Sequence, residues 1–543
     1  MRENAWLIAS LAAAIGLVPS DASAQNYCAD TSTGWVIDEI PVYIHENLIG
    51  ICGGNCSNSG LEYQVKAVLQ GIYSGSGGVV RPYFAGWALW ANYDPGDIID
   101  DAIHVWAGDC TGADYGITSR QYNSIFGFGP YATIKICLTN SQVGTITWDP
   151  ARDGSQTFGF HTVLIHEMMH ALGLNHPDSD QQYNWEGIKC TDLPAGDVVA
   201  SVVRSPGPSD SLMAADIEFI HDIYGTRTTT GRLRYSTDGL TWTAGPNGPS
   251  QTATALGRFA ASNSQLGSYV YSAVRNQAKH IVVSRYSQAG SWSFQKDLPH
   301  IGFYHPGIAA SSSNAVAVAY QVHLDWTTAL TDIKTRRTTD GGSTWQSPVT
   351  ITAGGLPVHT AAPGISQTYN PDTAQYLELW RSALSSDNAR IYYHHGTGQA
   401  AAHNTAIRTI DTPSIACGPS PIVGTRNCLL AWADAKSWGG IVKWQQCSVA
   451  SNALSNCSAI RTHGYYTAGS PSVAYVGNNS GYPWQISINQ GGYTIYTWRK
   501  AAADTVGFVD QRSFTYTPQA VLPAAGSLFS SGTDRRYILT MDQ

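Results

Sequence analysis

The sequence predicts a mixed α+β region up to about residue 226 and an all-β region from there to residue 543. Helical spacing of apolar residues occurs only in the first region. Short apolar strands separated by Pro- and Gly-rich turns recur in the second. The charge balance also changes sign, from 7 Lys and Arg against 23 Asp and Glu over residues 25–226 to 23 against 14 over residues 227–543. We therefore expect two regions with different partners.

The first 24 residues have the pattern of a secretory signal peptide. Arg2 precedes an apolar run from Ala5 to Val18, and small residues end at a cleavage site after Ala24. The alternative is a membrane anchor, but the run is shorter than the roughly 20 residues needed to span a bilayer. We expect a secreted, extracellular protein with no integral membrane segment.

The even number of cysteines, 10 in all, favours disulfides in an exported protein. Within the second region, short loops favour Cys417 with Cys428 and Cys447 with Cys457. The pairing of the first six stays open; they are Cys28, Cys52, Cys56, Cys110, Cys137 and Cys190.

The first region (25–226) alternates short strands with helices. β-rich runs occur at residues 40–44, 102–108 and 133–138. The stretch 60–72 has Leu61, Val65, Val68, Leu69 and Ile72 at helical spacing. A second helix is predicted from residue 157 or 158 to Gly173, where glycine permits the left-handed turn that ends helices. A third is predicted over 214–225.

The second region (227–543) contains a recurring pattern of a turn, small apolar residues, a gap and an apolar or aromatic strand. It begins near residues 257, 305, 362, 420, 470 and, more weakly, 517. Units about 50 residues apart are on the scale of a four-stranded propeller blade. Six such units fit this region, so the sequence predicts a six-bladed β-propeller.

Two stretches of this region carry a hairpin motif, "STDGLTW" at 236–242 and "TTDGGSTW" at 338–345. They resemble the Asp-box hairpin of sialidase-type β-propellers. Asp340 can accept hydrogen bonds from turn amides, Gly342 can adopt positive φ, and Trp345 can pack between strands. The resemblance implies a structural role away from any catalytic centre.

The stretch "HEMMHALGLNH" at 166–176 carries the candidate chemistry. His166 and His170 lie four residues apart, so on a helix both imidazoles point to one side, and Glu167 lies beside them. Two surface histidines on an amphipathic helix would give the same spacing. Gly173 permits a turn that could bring in His176, and three imidazoles leave a fourth zinc position open for water.

Met213 follows 37 residues later, just before the third predicted helix. Together these residues resemble the metzincin metalloproteases, and within them the matrixin-like branch, over roughly residues 26–226. The resemblance implies zinc bound by His166, His170 and His176, with Met213 as the floor beneath the metal. It further implies that Glu167 acts as general base and then acid in peptide-bond hydrolysis, and that the strand at 131–138 is an edge strand that pairs with substrate.

Some features depart from that pattern or stay open. Ala215 stands where astacin-like relatives have Tyr, and Pro177 where matrixins have a small hydroxyl residue. No cysteine-switch motif is present; Cys28 could block the zinc or form a disulfide, so latency is undecided. Carboxylates at 94–101 and 176–180 could bind Ca²⁺, although solvated acidic loops explain them equally well.

Two interpretations compete for the propeller. Its positive balance and its Trp and Tyr content favour docking the protease onto glycoproteins or acidic glycans. Alternatively, the propeller is itself a sialidase-like glycosidase, but the usual Phe/Tyr-Arg-Ile-Pro motif is absent and 257–261 is a poor match. We expect protein or peptide substrates and no nucleic-acid partner, and the oligomeric state stays open.

Overall fold

The computed structural model describes residues 39–76, 78–88, 101–121, 131–150 and 158–174 of the first region, together with residues 35, 212, 216, 220 and 224. In the second region it describes 227–542 except 256–268, 277–279, 288–290, 299–304, 313, 324–330, 352–363, 382–389, 405, 420–425, 451–452, 478–480, 491–493, 503–505, 516–520 and 531–532. The predicted signal peptide, His176 and Met213 lie outside the described residues.

The described part of the first region follows the predicted alternation of strands and helices. In chain order its elements are β1 (Glu39–His45), a 3₁₀ helix (Glu46–Cys52), α1 (Asn58–Gly75), β2 (Arg81–Ala88), β3 (Ile103–Gly108), β4 (Gly116–Gln121), β5 (Tyr131–Cys137), β6 (Thr139–Asn140), β7 (Gly144–Thr145), β8 (Trp148–Asp149), β9 (Phe158–Gly159) and α2 (Phe160–Ala171). Asp216, Ile220 and Tyr224 are also helical, within the predicted third helix.

Strands β1 to β5 form one sheet in the order β2-β1-β3-β5-β4. β1, β2, β3 and β5 run parallel, and β4 is antiparallel to β5. Ile40, Val42 and Ile44 alternate along β1 and are buried in a core shared with α1 and α2. The predicted apolar face of α1 lies in the same core, because its helical spacing places those residues on one side.

The expectation that the strand at 131–138 lies at the sheet edge is wrong. β5 is internal, paired with β3 on one side and β4 on the other. β4 is the strand at this edge of the described sheet. The sequence "GITSRQ" of β4 has no apolar alternation, which is why the pattern did not predict a strand there.

All the helices and strands named in the described part of the second region are β-strands. They are β10 (Arg227–Ser236), β11 (Thr243–Ala255), β12 (Tyr269–Asn276), β13 (Ile281–Ser287), β14 (Trp292–Leu298), β15 (Gly307–Ala310), β16 (Val316–His323), β17 (Thr331–Thr338), β18 (Val349–Thr350), β19 (Ile365–Asn370), β20 (Gln375–Arg381), β21 (Ile391–His395), β22 (Ala401–Ala402), β23 (Ser414–Cys417), β24 (Cys428–Ala433), β25 (Ile441–Ala450), β26 (Ala453–Ser455), β27 (Arg461–Tyr466), β28 (Ser472–Tyr475), β29 (Trp484–Asn489), β30 (Thr494–Lys500), β31 (Phe508–Thr515), β32 (Val521–Ser530) and β33 (Thr533–Asp542).

These strands form a six-bladed β-propeller, as predicted. Blades 2 to 5 are the antiparallel sheets β15–β18, β19–β22, β23–β27 and β28–β31. The first strands of successive blades, β15, β19, β23, β28 and β32, contact one another in turn, and β12 of blade 1 contacts both β15 and β32. These contacts close the ring. The first strand predicted for blade 1, near residue 257, lies outside the described residues.

Blade 6 joins the two ends of the second region. Strand β33 pairs antiparallel with β10 from Thr230 with Asp542 to Ser236 with Arg536. Strands β32 and β33 thus contribute the inner half of the blade, and β10 and β11 the outer half. This pairing joins strands about 300 residues apart in the chain. It therefore closes the ring and prevents the propeller from opening at one blade boundary.

Four disulfides lie within the described residues. The two predicted in the propeller, Cys417–Cys428 and Cys447–Cys457, are confirmed. The first region has two further pairs, Cys52–Cys56 and Cys110–Cys137. Cys28 and Cys190 lie outside the described part.

The two Asp-box hairpins have the predicted structural role. The Asp340 carboxylate accepts hydrogen bonds from the Thr344 amide, at 2.9 Å, and from the Thr338 hydroxyl, at 2.7 Å. Gly342 has φ of 101°, and Trp345 packs against the core between blades 1 and 2. These turns join the third and fourth strands of their blades, so they lie at one end of the propeller.

Candidate metal centre

Helix α2 positions the predicted site. Its apolar residues Leu164, Ile165, Met168 and Met169 are buried in the core of the first region. The packing of this face fixes the rotation of the helix, because a helix buries its apolar stripe. His166 and His170 are consequently held on the opposite side, where both are partly exposed.

The imidazoles of His166 and His170 converge. Their Nε2 atoms lie 3.1 Å apart, and the rings meet edge to face at 4.7 Å. The His170 Nδ1–H donates to the Leu174 carbonyl at 2.6 Å, so the neutral ring carries its lone pair on Nε2, the atom that faces His166. Two nitrogens this close, one of them oriented by a backbone carbonyl, fit two ligands of a single zinc ion.

The side chain of Glu167, next to His166 in the sequence, faces β4. Its carboxyl is buried, and the Thr118 hydroxyl donates to Oε2 at 2.6 Å. Burial raises the pKa of Glu167, the Thr118 hydrogen bond lowers it, and the charge of Asp114 raises it, to about 7. A Cβ at Gly116 would lie 2.7 Å from Oε1, so only glycine leaves room for this carboxyl.

The C-terminal end of α2 is held by residues far away in the sequence. Trp35 Nε1 donates to the Ala171 carbonyl at 3.0 Å, and the Tyr224 hydroxyl donates to the Leu172 carbonyl at 2.9 Å. These bonds satisfy carbonyls that have no partner within the helix. Gly173 follows with φ of 112°, the turn that the sequence predicted. His176 lies three residues further on, outside the described residues.

Several contacts around α2 were not predicted from the sequence. Gly116, Thr118, Trp35 and Tyr224 all support α2, but none belongs to the histidine motif. The hydrogen bonds that Thr118, Tyr224 and Trp35 donate to the helix and its C-terminal end span 49 to 136 residues of the chain. Such long-range contacts leave no local pattern in a single sequence.

Most of the candidate calcium stretch 94–101 and all of 176–180 lie outside the described residues. Among the described residues, His403, Cys447 and Cys457 bring ligand atoms together, but the two cysteines form a disulfide and offer no thiolate. No helix in the described part of the chain has the length and apolar character needed to cross a membrane.

Arginines lie over aromatic rings at several places in the propeller. The guanidinium of Arg285 lies 4.1 Å from the centre of the Tyr269 ring, and that of Arg499 lies 4.5 Å from the Tyr482 ring. Arg285 is partly exposed, whereas Arg499 also pairs with the Asp510 carboxylate. The stretch 257–261, the nearest match to a sialidase arginine motif, lies outside the described residues.

The chain matches no known family profile and no curated protein sequence. Among solved structures it is similar to SapL1 lectin in complex with alpha methyl fucoside, with 12% identity and a TM-score of 0.36 over 52% of this chain and 88% of that one. It is also similar to the fungal lectin from Aleuria aurantia, a six-bladed β-propeller with a fucose recognition mode, with 14% identity and a TM-score of 0.34 over 51% and 84%. The sialidase NanB from Streptococcus pneumoniae has 12% identity and a TM-score of 0.26 over 48% of this chain and 35% of that one. At these values the similarity carries no information about ligand or activity.

Proposed function

We propose that this chain is a secreted zinc-dependent endopeptidase whose propeller docks it onto glycoproteins or acidic glycans. The observation that carries the peptidase half is the 3.1 Å separation of the His166 and His170 Nε2 atoms beside the buried Glu167 carboxyl. Secretion rests on the signal-peptide pattern of residues 1–24. The metzincin resemblance supplies His176 as the third ligand and Met213 as the residue beneath the metal.

Zinc held by the three histidines would polarise a substrate carbonyl and lower the pKa of water towards about 7. In this mechanism Glu167 accepts the proton of the attacking water and later donates it to the leaving amine. Thr118 keeps the Glu167 carboxyl in one orientation during both transfers, because its hydroxyl is bonded to Oε2.

An extended peptide would bind along β4. This strand is antiparallel to β5 on one side, and its other side has no partner among the described strands. It begins at Gly116, directly against the Glu167 carboxyl. A peptide that adds to this edge by main-chain hydrogen bonds would pass beside the catalytic residue.

Glycan docking rests on the charge and the aromatic residues of the propeller. Residues 227–543 carry a balance of +9, which attracts acidic partners. Arginine–aromatic pairs such as Arg285 with Tyr269 can stack on sugar rings and bind carboxylates.

The second candidate is a bifunctional enzyme whose propeller is a glycosidase. Two buried arginines, Arg275 and Arg381, end the second strands of blades 1 and 3 and therefore lie towards the same end of the propeller. A sialidase needs several arginines around one carboxylate, and arginines at one end of the propeller are candidates for that role. This candidate concerns only the propeller, so it does not depend on whether Glu167 is required for proteolysis.

The test compares wild type and Glu167→Ala on casein, gelatin and mucin, with and without a zinc chelator. We expect wild type to cleave protein substrate, and both the chelator and the substitution to abolish cleavage. Equal proteolysis by both proteins would defeat the proposed mechanism. Release of free sialic acid from mucin by Glu167→Ala would establish the glycosidase candidate.

A further inference from the structure

A turn of the propeller packs against the first region. Residues 434–440 join β24 to β25 in blade 4, at the end opposite the Asp-box turns. Trp438, in this turn, packs against the core of the first region, and its ring centre lies 5.7 Å from that of Phe160. Phe160 is the first residue of α2, the helix that carries the histidines.

Gln64 of α1 links this turn to α2. Its side-chain oxygen accepts a hydrogen bond from the Gly439 amide at 3.1 Å. Its Nε2 donates to the Pro150 carbonyl and to His161 Nδ1, each at 3.1 Å. Gln64 and His161 are both buried, so losing any of these bonds would leave a polar group without water to replace its partner.

The turn fits closely against α1. Gly439 has φ of 88°, and a Cβ there would lie 2.9 Å from the Gly60 carbonyl oxygen and 2.7 Å from the Tyr466 ring. Tyr466 stacks on Tyr63 of α1 with ring centres 4.9 Å apart. Any side chain at position 439 would therefore displace a neighbour, and only glycine fits this contact.

Charged and polar groups hold the turn in shape from within the propeller. The Asp434 carboxylate accepts a hydrogen bond from the Ser437 hydroxyl at 2.6 Å and pairs with Lys443 at 2.7 Å. α1 also approaches β11 and β32 of blade 6. The first region is thus seated on the end of the propeller through more than one blade.

We propose that the 434–440 turn is a positioning element of the histidine helix, with Trp438 and Gly439 as positioning residues. Through Phe160, Gln64 and His161 it fixes the first turn of α2. The propeller then has a second role besides docking: it determines how well the candidate site is assembled. This inference rests on the proposed function only for its activity readout.

The main test uses Gly439→Ala in the full chain, with Gly464→Ala as its matched control. Gly464 is also in blade 4 and has φ of 83°, but a Cβ there would meet nothing within 4 Å. Both substitutions strain the backbone similarly, and only Gly439→Ala disturbs the contact with the first region. Hydrogen exchange of the α2 amides, 160–171, is measured together with kcat and KM on casein.

We expect Gly439→Ala to accelerate exchange at the start of α2 by about tenfold or more, since local opening governs exchange. We expect kcat to fall about tenfold or more at nearly constant KM, because misplaced catalytic groups affect the chemical step. Gly464→Ala should leave α2 exchange and kcat within about twofold of wild type. Equal α2 exchange in the two variants overturns the inference.

A second pair keeps the test decisive if Gly439→Ala does not fold. Trp438→Phe retains a ring against Phe160 and should keep α2 protected, while Trp438→Ala should not. Equal protection in this pair also overturns the inference. If wild type cleaves no protein and retains no zinc, the proposed function fails, and the exchange results still decide whether the turn positions α2.

Discussion

The Thr118 hydroxyl lies 2.6 Å from Oε2 of Glu167 and 3.0 Å from the Glu167 carbonyl oxygen. It reaches the carboxyl from β4, the strand that ends the described sheet. The strand proposed to bind substrate therefore also orients the proposed general base. This coupling makes Thr118 a direct test of the site.

Replacement of Thr118 by Val should lower kcat on casein by about tenfold to a hundredfold, because the isosteric side chain cannot orient the carboxyl. Thr118→Ser keeps the hydroxyl and should retain most of the activity. Steady-state kinetics of the two variants, with zinc content measured for each, make the comparison. Equal activity of the Val and Ser variants would show that the hydrogen bond is not required.

Gly116→Ala should also reduce activity, for a steric reason. The added Cβ would lie 2.7 Å from both Cγ and Oε1 of Glu167, so the carboxyl must move. We expect kcat/KM to fall about tenfold or more. Gly507→Ala, where a Cβ meets nothing within 4 Å, is the control and should behave as wild type. An unchanged rate in Gly116→Ala would place Glu167 elsewhere during catalysis.

His463 should make the stability of the propeller depend on pH. Burial against Trp498, Phe508 and Tyr465 lowers the pKa of His463 to about 4. Between about pH 4 and 6.5 the unfolded state then binds the proton that the folded state excludes, so the free energy of unfolding rises with pH. At about 1.4 kcal/mol per pH unit, this change amounts to about 3 kcal/mol.

His463→Phe should flatten that dependence, because phenylalanine does not titrate. Urea unfolding of wild type and variant at several values between pH 4 and 7 measures the effect. The two proteins should differ in the slope of stability against pH over this range. Parallel slopes would mean that the ring is protonated as easily in the folded state as in the unfolded one.

Asp340→Asn should lower the melting temperature without changing proteolysis. Hydrogen bonds from the Thr344 hydroxyl and amide hold the pKa of Asp340 well below its usual range. The stabilisation is therefore complete above the unfolded-state pKa, near 4, and is lost as the pH falls below it. Calorimetry should show the two melting temperatures converging in acid. A loss of casein cleavage at neutral pH would instead give the Asp box a functional role.

Local patterns account for what the sequence predicted correctly. The i, i+4 spacing of His166 and His170, the apolar face of α1 and the Asp-box turns each depend on residues close together in the chain. The geometry of a helix or a turn sets such short spacings, so a single sequence is enough to recognise them. The recurring units likewise predicted six blades, because each blade repeats the same strand order.

Contacts between distant segments could not be predicted. The Thr118–Glu167 bond joins residues 49 apart, and the Gly439–Gln64 bond joins residues 375 apart. β4 has no apolar alternation, since Ile117 is its only apolar residue that packs against the core and Thr118 contacts Glu167. The family resemblance implied an edge position for the strand at 131–138, but β4, which has no strand pattern in the sequence, occupies that edge instead.

Gly173→Ala should weaken zinc binding while leaving the fold intact. Gly173 has φ of 112°, which L side chains rarely adopt, and it starts the turn in which the Leu174 carbonyl accepts the His170 Nδ1–H bond. A shifted turn would disturb this bond, and the loss of such an orienting partner typically costs about tenfold to a hundredfold in metal affinity.

Competition with a chelator would measure the zinc dissociation constant of each protein. Gly144→Ala is the control, because Gly144 also has positive φ, at 69°, but a Cβ there meets nothing within 4 Å. It should bind zinc as wild type does, because an added Cβ meets no neighbour there and φ of 69° lies closer to the left-handed helical region than 112° does. Equal affinities for the two variants would show that the turn after α2 does not orient His170, and the case for three histidine ligands would then rest on sequence alone.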